Sequence, residues 1–428
     1  MVSSYIFYGW WNWKFLGLIF LSSLLDYFSS LAIEKFPKYK KVYLILSITT
    51  NLSILAFFKY YNFFVESANQ FSELLGLGNN LNTLSIILPI GISFYTFQSM
   101  SYTIDIYRGE AQAERNIIIF LSYISFFPQL IAGPIERFSH LLPQFKTYQP
   151  LNKTRVQESI WWIVWGYFLK IVVADTLAPL VELAYSEEQR FGWWVILGTI
   201  AFGLQIYGDF AGYSLIAKGT ASLLGFDLMW NFQCPYWSTS IQDFWRRWHI
   251  SLSNWLRDYL YIPLGGNRFG NARNFLNLIV TMLLAGLWHG ASWNFVIWGG
   301  FQGICLAIHR FYQRCNGQMS KMGSWFLTML AIFTGWFLFR IQSWKMFISM
   351  VESLQNFRWL PGHSAALVEI FVLTIVVASI ERQQYLTQDM SIFAHSSFLT
   401  KTVVYSILLI IIFAVSHQTQ TQFIYFQF

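Results

Sequence analysis

Two histidines stand where histidine is costly. The stretch FWRRWHISLSNWLRDYLYIPLGGNR (244–268) sets His249 among cationic and aromatic side chains. The stretch LLAGLWHGASWN (283–294) sets His289 inside a run that otherwise reads as a membrane helix. An ionisable residue within such a run usually faces an interior cavity and marks function; a satisfied structural histidine is the competing reading. The available chemistry is narrow. A neutral imidazole near pH 7 can take a proton from a hydroxyl, which then attacks an acyl carbonyl. No GxSxG, HExxH, CxxC or P-loop pattern offers another reaction, and the acids are too few and scattered for a paired-carboxylate site.

The spacing around His249 predicts one helix over 241–262. Trp245, Trp248, Leu252, Trp255 and Tyr259 recur at helical spacing as an aromatic stripe, and Gln242, Arg246, His249, Ser253 and Arg257 line a second face. Asp243 and Arg247 are placed to pair one turn apart. Pro263 ends the helix and LGGNR turns the chain. A helix with a tryptophan face and a cationic face lies in the interface. Two readings of its arginines stay open: an anchor snorkelling to headgroups, or an entrance that recruits an anionic donor from the cytoplasm through Arg246, Ser253 and Arg257. His289 follows about fifteen apolar residues that start near Arg273 and Asn274, roughly 20 Å of helix rise. It is therefore expected deeper than His249, with separable effects. Gly286 and Gly290 flank it at a spacing that allows close helix approach or a local break.

The rest of the chain must carry these residues in lipid. Of 428 residues, 55% are hydrophobic, only 11% are charged, and mean hydropathy is +0.43. Long apolar runs recur near 14–33, 42–65, 84–106, 159–184, 192–217, 274–289, 293–311, 324–341, 365–380 and 401–417. This is an all-α polytopic membrane protein; the short alternating segments of a barrel do not occur. Several runs are short or broken by Gly and Pro, which suits a thinned bilayer or broken helices. Lys and Arg place 34–41, 107–116, 135–155 and 226–273 on the cytoplasmic side, and 65–80, with neither, outside. The run 117–134 between two cytoplasmic segments should not cross, so re-entrant or in-plane elements are expected near 117–145 and 235–262. The charge count leaves the C-terminus outside. One membrane domain over 1–428 is expected. The net charge of +7 sets topology and points to no nucleic acid. Cys234, Cys305 and Cys315 match no metal or redox spacing, and three cannot all pair within one chain. No cleavable signal opens the chain.

The stretches QIYGDFAGYSLIAKGTASLLGFDLMWNFQCPYWSTSIQDFWRRWHISLSNWLRDYLYIPLGGNR (205–268) and AGLWHGASWNFVIWG (285–299) resemble the membrane-bound O-acyltransferases, most closely their bacterial alginate O-acetyltransferase branch. SFFPQLIAGPIERFSHLLPQF (125–145) and the closing FIYFQF (423–428) match too, so the resemblance covers nearly the whole chain. D-alanyl transferases of teichoic-acid synthesis are the nearest sister group; YIPLGGNR favours the alginate-type branch. The family pattern places a further apolar helix ahead of the motif that here is Tyr8-Gly9-Trp10-Trp11, so one helix fewer is expected at this start. The resemblance implies about ten or eleven membrane helices around a central tunnel. It implies that His289 is the catalytic residue and His249 a second functional position nearer the cytoplasmic mouth. It implies structural or site-lining roles for Asp209 and Asn294.

The implied activity moves an acyl group, acetyl above all, from a cytoplasmic thioester (acetyl-CoA or an acyl carrier) to a hydroxyl of an extracellular or periplasmic polysaccharide. Transfer is direct or through an acetyltransferase-like partner protein outside the bacterial inner membrane. No bound cofactor or metal is expected. The alternative is D-alanyl transfer to a wall polymer from a carrier protein; a transporter or pore lined by histidine is a remote third reading.

Overall fold

The computed structural model describes residues 1–78, 81–147, 149–186, 191–416 and 423–424. Among these every regular element is helical. Most of the closing FIYFQF and residues 79–80 lie outside the described residues; the expected outer segment 65–80 is helical as far as Leu74. Seven helices are long and apolar enough to cross a membrane: Val2–Lys35, Pro37–Leu74, Lys153–Tyr185, Gly192–Leu223, Lys321–Arg340, Pro361–Thr387 and Phe398–Val415. The other three expected spans are also helical, over Ile92–Arg108, Gly270–His289 and Trp293–Arg314, but are shorter or more polar.

The chain forms two compact units. The first comprises Met1–Pro150, Gly225–Leu228 and Gly290–Ser292. In it the helices Leu16–Lys35, Lys40–Leu55 and Ile92–Arg108 pack on one another. Apolar surface drives little association in lipid, so packing and internal hydrogen bonds must hold such helices together. Here the buried Asp26 carboxylate accepts from the Ser47 hydroxyl and, at 2.9 Å to each oxygen, from the Asn51 amide. Asn51 in turn accepts from Ser22 at 2.9 Å.

The expected span over 84–106 starts later than its hydropathy suggests. Residues 81–89 are irregular, and the helix begins at Ile92 after Gly91, whose φ is +75°. Two asparagines seven residues apart on the preceding helix capture this stretch. Asn69 exchanges hydrogen bonds of 2.8 and 2.9 Å with the Leu81 backbone, and Asn62 does the same with Leu84. Pro89 removes a backbone donor a helix there would need. The re-entrant or in-plane element expected near 117–145 is made of the short helices Ile117–Ile124, Phe127–Leu130 and Phe138–Leu141. The longest is about 12 Å of rise, against a hydrocarbon core of about 30 Å.

Within the last of these helices, His140 Nδ1 lies 2.8 Å from Glu136 and Nε2 lies 3.5 Å from Asp227. The Gln144 amide pairs with both backbone groups of Asp227, at 2.7 and 3.0 Å. The returning segment 225–228 is thereby fastened beside this turn. Asp227, then Glu136, push the His140 pKa from 6.5 up to about 10. A raised folded-state pKa stabilises the protein fully below the unfolded value and progressively less as pH rises through the folded one. In detergent thermal unfolding, the stability difference between wild type and His140→Gln should be largest near pH 6 and shrink toward about pH 10. A difference that grows with pH contradicts the pairing.

Candidate active site

The second unit comprises Leu151–Leu224, Met229–His289 and Trp293–Phe428, and holds both histidines. The helices Gly270–His289 and Trp293–Arg314 form its tightest pair. Glycine permits it: a Cβ on Gly286 would run into the Phe295 carbonyl, and one on Gly299 into that of Met282. Backbone lies on backbone, and His289, the last residue of its helix, is held buried where the chain turns. Its ring meets Trp298 edge-on at 5.2 Å and Phe339 at 5.5 Å, with Trp288 at 5.1 Å.

The single helix expected over 241–262 is broken, and the break is at the histidine. Ile241–Arg247 is helical, Trp248 is extended, His249 has φ +43°, and Ile250–Leu256 resumes the helix. A non-glycine residue in the left-handed region needs support from its surroundings. It has support on both sides. The Gln233 N–H donates to the Arg247 carbonyl at 3.0 Å, and the Ile250 N–H donates to the Asn231 carbonyl at 2.9 Å. A sequence of good helical pattern with no Gly or Pro gives no sign of this, because the competing hydrogen bonds come from residues 231–233.

The kink changes where the imidazole goes. His249 does not share a face with the arginines; it is 1% exposed. Its ring stands edge-on to Phe210 at 4.7 Å and 6.3 Å from the ring of His289. The expected separation of the two histidines is therefore corrected: rise along one helix said nothing about a kinked segment folding back onto that helix's end. Burial, then His289, hold the His249 imidazole well below its ordinary pKa, so it stands neutral near pH 7.

The other expected positions fall elsewhere. Arg246 is exposed, and Arg257 is exposed and paired with Asp258 at 2.7 Å. Ser253 is half-buried and donates to the Trp248 carbonyl at 3.3 Å. Arg247 pairs with Asp243 at 3.0 Å, as the spacing predicted. Asn294 is half-buried in the first turn of the helix after His289. Asp209 is buried, 2.8 Å from Lys170, and accepts from the Ile424 N–H at 2.6 Å. Lys170 also pairs with Asp175 at 2.8 Å. Asp209 thus ties the end of the chain to the long helix Gly192–Leu223. Among the described residues no three His, Cys, Asp or Glu side chains gather as metal ligands would.

Sequence reasoning missed Asn231, whose side-chain oxygen is 3.1 Å from His249 Nδ1, and the aromatic walls Phe210, Trp298 and Phe339. The available signal for Asn231 was one amide among apolar neighbours. Two buried imidazoles in an aromatic enclosure, one of them neutral, suit proton transfer to and from oxygen or sulfur.

The family model described as MBOAT, membrane-bound O-acyltransferase family, matches residues 5–351. The chain belongs to this family. A probable alginate O-acetylase of Pseudomonas putida is 41% identical, with 88% of this chain and 79% of that protein covered. A peptidoglycan O-acetyltransferase of Helicobacter pylori is 36% identical over 83% and 72%. A teichoic acid D-alanyltransferase of Streptococcus thermophilus is 30% identical over 56% and 61%. The chain is a multi-pass membrane enzyme, an O-acyltransferase that uses an acyl donor. Acyl transfer therefore takes the place of the pore reading.

The glycine contact gives a direct test. Gly286→Ala or Gly299→Ala forces a side chain into a backbone carbonyl and should cost about 3 kcal/mol or more. Gly17→Ala, with nothing within 4 Å, should be neutral or stabilising. The yield of folded protein and the melting temperature in detergent separate the two classes; equal behaviour contradicts the close packing.

Proposed function

We propose that the enzyme moves an acetyl group from a cytoplasmic thioester to a hydroxyl of a polysaccharide outside the bacterial inner membrane. Transfer is direct or by way of an acetyltransferase-like partner protein. The observation that carries this reading is the pairing of His249 and His289, rings 6.3 Å apart and both buried. The acetyl group and the polymer class come from what the relatives are named for.

In the proposed step a ring nitrogen of His289 takes the proton of the acceptor hydroxyl as its oxygen attacks the thioester carbonyl. The tetrahedral intermediate collapses, the C–S bond breaks, and the departing thiolate takes the proton back from the imidazolium. The products are an ester and a free thiol. The thioester supplies the driving force, so no nucleotide is consumed. His249, neutral and adjacent, acts within the same enclosure. Arg246 and Arg257, exposed on the broken helix, suit the phosphates of CoA or of a phosphopantetheinyl carrier.

His289→Ala should abolish ester-bound acetate in the surface polymer while the protein remains in the membrane; unchanged acetylation overturns the assignment. The likeness to a D-alanyltransferase makes ester-bound alanine the alternative, and mass analysis of the polymer decides between them. Arg246→Gln or Arg257→Gln should raise the apparent donor KM about tenfold with a smaller change in kcat. If the arginines only anchor the helix, these variants lose folded protein and keep a normal donor KM.

A further inference from the structure

Asn231 is 2% exposed, and each polar atom of its side chain is committed. Nδ2 donates to the Ser214 hydroxyl at 3.2 Å. Oδ1 accepts from the Ser251 hydroxyl at 2.9 Å and the Ser251 N–H at 3.4 Å, and lies 3.1 Å from His249 Nδ1. With the amide nitrogen spent on Ser214, the atom facing His249 is an oxygen. An oxygen of this kind can only accept, so Nδ1 carries the hydrogen. The neutral ring is then the Nδ1–H tautomer, and Nε2 holds the lone pair.

The same residue fixes the ring's position through its backbone, since the Asn231 carbonyl accepts from the Ile250 N–H at 2.9 Å, directly after the left-handed residue. One asparagine thus supports the backbone of the kink and chooses which ring nitrogen is basic. An amide does this without adding charge. Among the described residues, His289, from the helix Gly270–His289, is a titratable group that faces His249; Phe210 and Asn231 face it from other packed elements and are uncharged.

We infer that Asn231 is the positioning residue of His249, locking the imidazole as the Nδ1–H tautomer, which makes Nε2 the basic nitrogen for the acyl-transfer step. The inference rests on the reading above that His249 works in that step. Loss of the acceptor frees the ring to adopt the other tautomer and turn, which lowers turnover without touching the donor. A carboxylate in its place keeps the acceptor but favours the imidazolium, so the neutral ring appears only at higher pH.

The test uses membrane vesicles holding the full chain, labelled acetyl-CoA as donor probe, and the host's own surface polysaccharide as acceptor. Rates are normalised to folded protein between about pH 5 and 8. Asn231→Ala should lower kcat about 10- to 100-fold with the donor KM near wild type. Asn231→Asp should restore part of that kcat, with the rising limb of the pH profile displaced upward by about one unit. Wild-type kcat and an undisplaced profile in both variants overturn the inference. So does a loss confined to the amount of folded protein. His249→Ala is the control for the underlying reading: if it transfers acetyl normally, that reading fails and the inference goes with it, whereas an inactive His249→Ala beside an unaffected Asn231→Ala sinks the inference alone.

Discussion

Holding His249 in the left-handed backbone region, at φ +43°, is the constraint on which the site depends. Were the residue helical, its ring would continue the polar face of Arg246 and Ser253 along one helix. Turned by the kink, it enters the core beside Phe210 and His289. Such a residue costs about 1–3 kcal/mol and persists only where its surroundings dictate it. The segment 231–233 supplies that dictate through two backbone hydrogen bonds and one side chain. A strained residue at the candidate site, supported by a committed buried amide, fits the general association of strain with function.

The second half of the site depends on a different economy. His289 ends a helix whose neighbour lies close enough that Gly286 and Gly299 face carbonyl oxygens. In lipid, small residues and buried polar bonds replace the hydrophobic drive between helices. The Lys170 contacts to Asp175 and Asp209, the Asp26 cluster, and the Tyr207 hydroxyl donating to the buried Glu381 carboxylate act alike. Each holds packed helical segments together within its own compact unit, and the Asp209 and Glu381 contacts join segments far apart in sequence within the unit that carries the two histidines.

Composition and hydropathy made the helical membrane class and most spans legible, because twenty apolar residues in a row have few other uses. His289 was legible for the same reason: it is an ionisable residue in such a run. The start of the helix at Ile92 was not, because Asn62 and Asn69, which capture residues 81–84, lie on a different helix. The kink at His249 was hidden too. Helical periodicity is a local signal, and the bonds that break the helix come from residues some sixteen to eighteen positions earlier, a separation periodicity does not sense. Asn231 was illegible as a site residue because what distinguishes it is its acceptor's direction toward the ring, a tertiary fact.

That the two histidines work as one unit is the central claim, and a kinetic cycle tests it most directly. Acetyl transfer is measured for His249→Ala, His289→Ala and the double variant, each per folded molecule. Groups that act together in one step are strongly non-additive. The account predicts a double variant no slower than the slower single. A double variant whose loss is the product of the two single losses would show independent sites and contradict it.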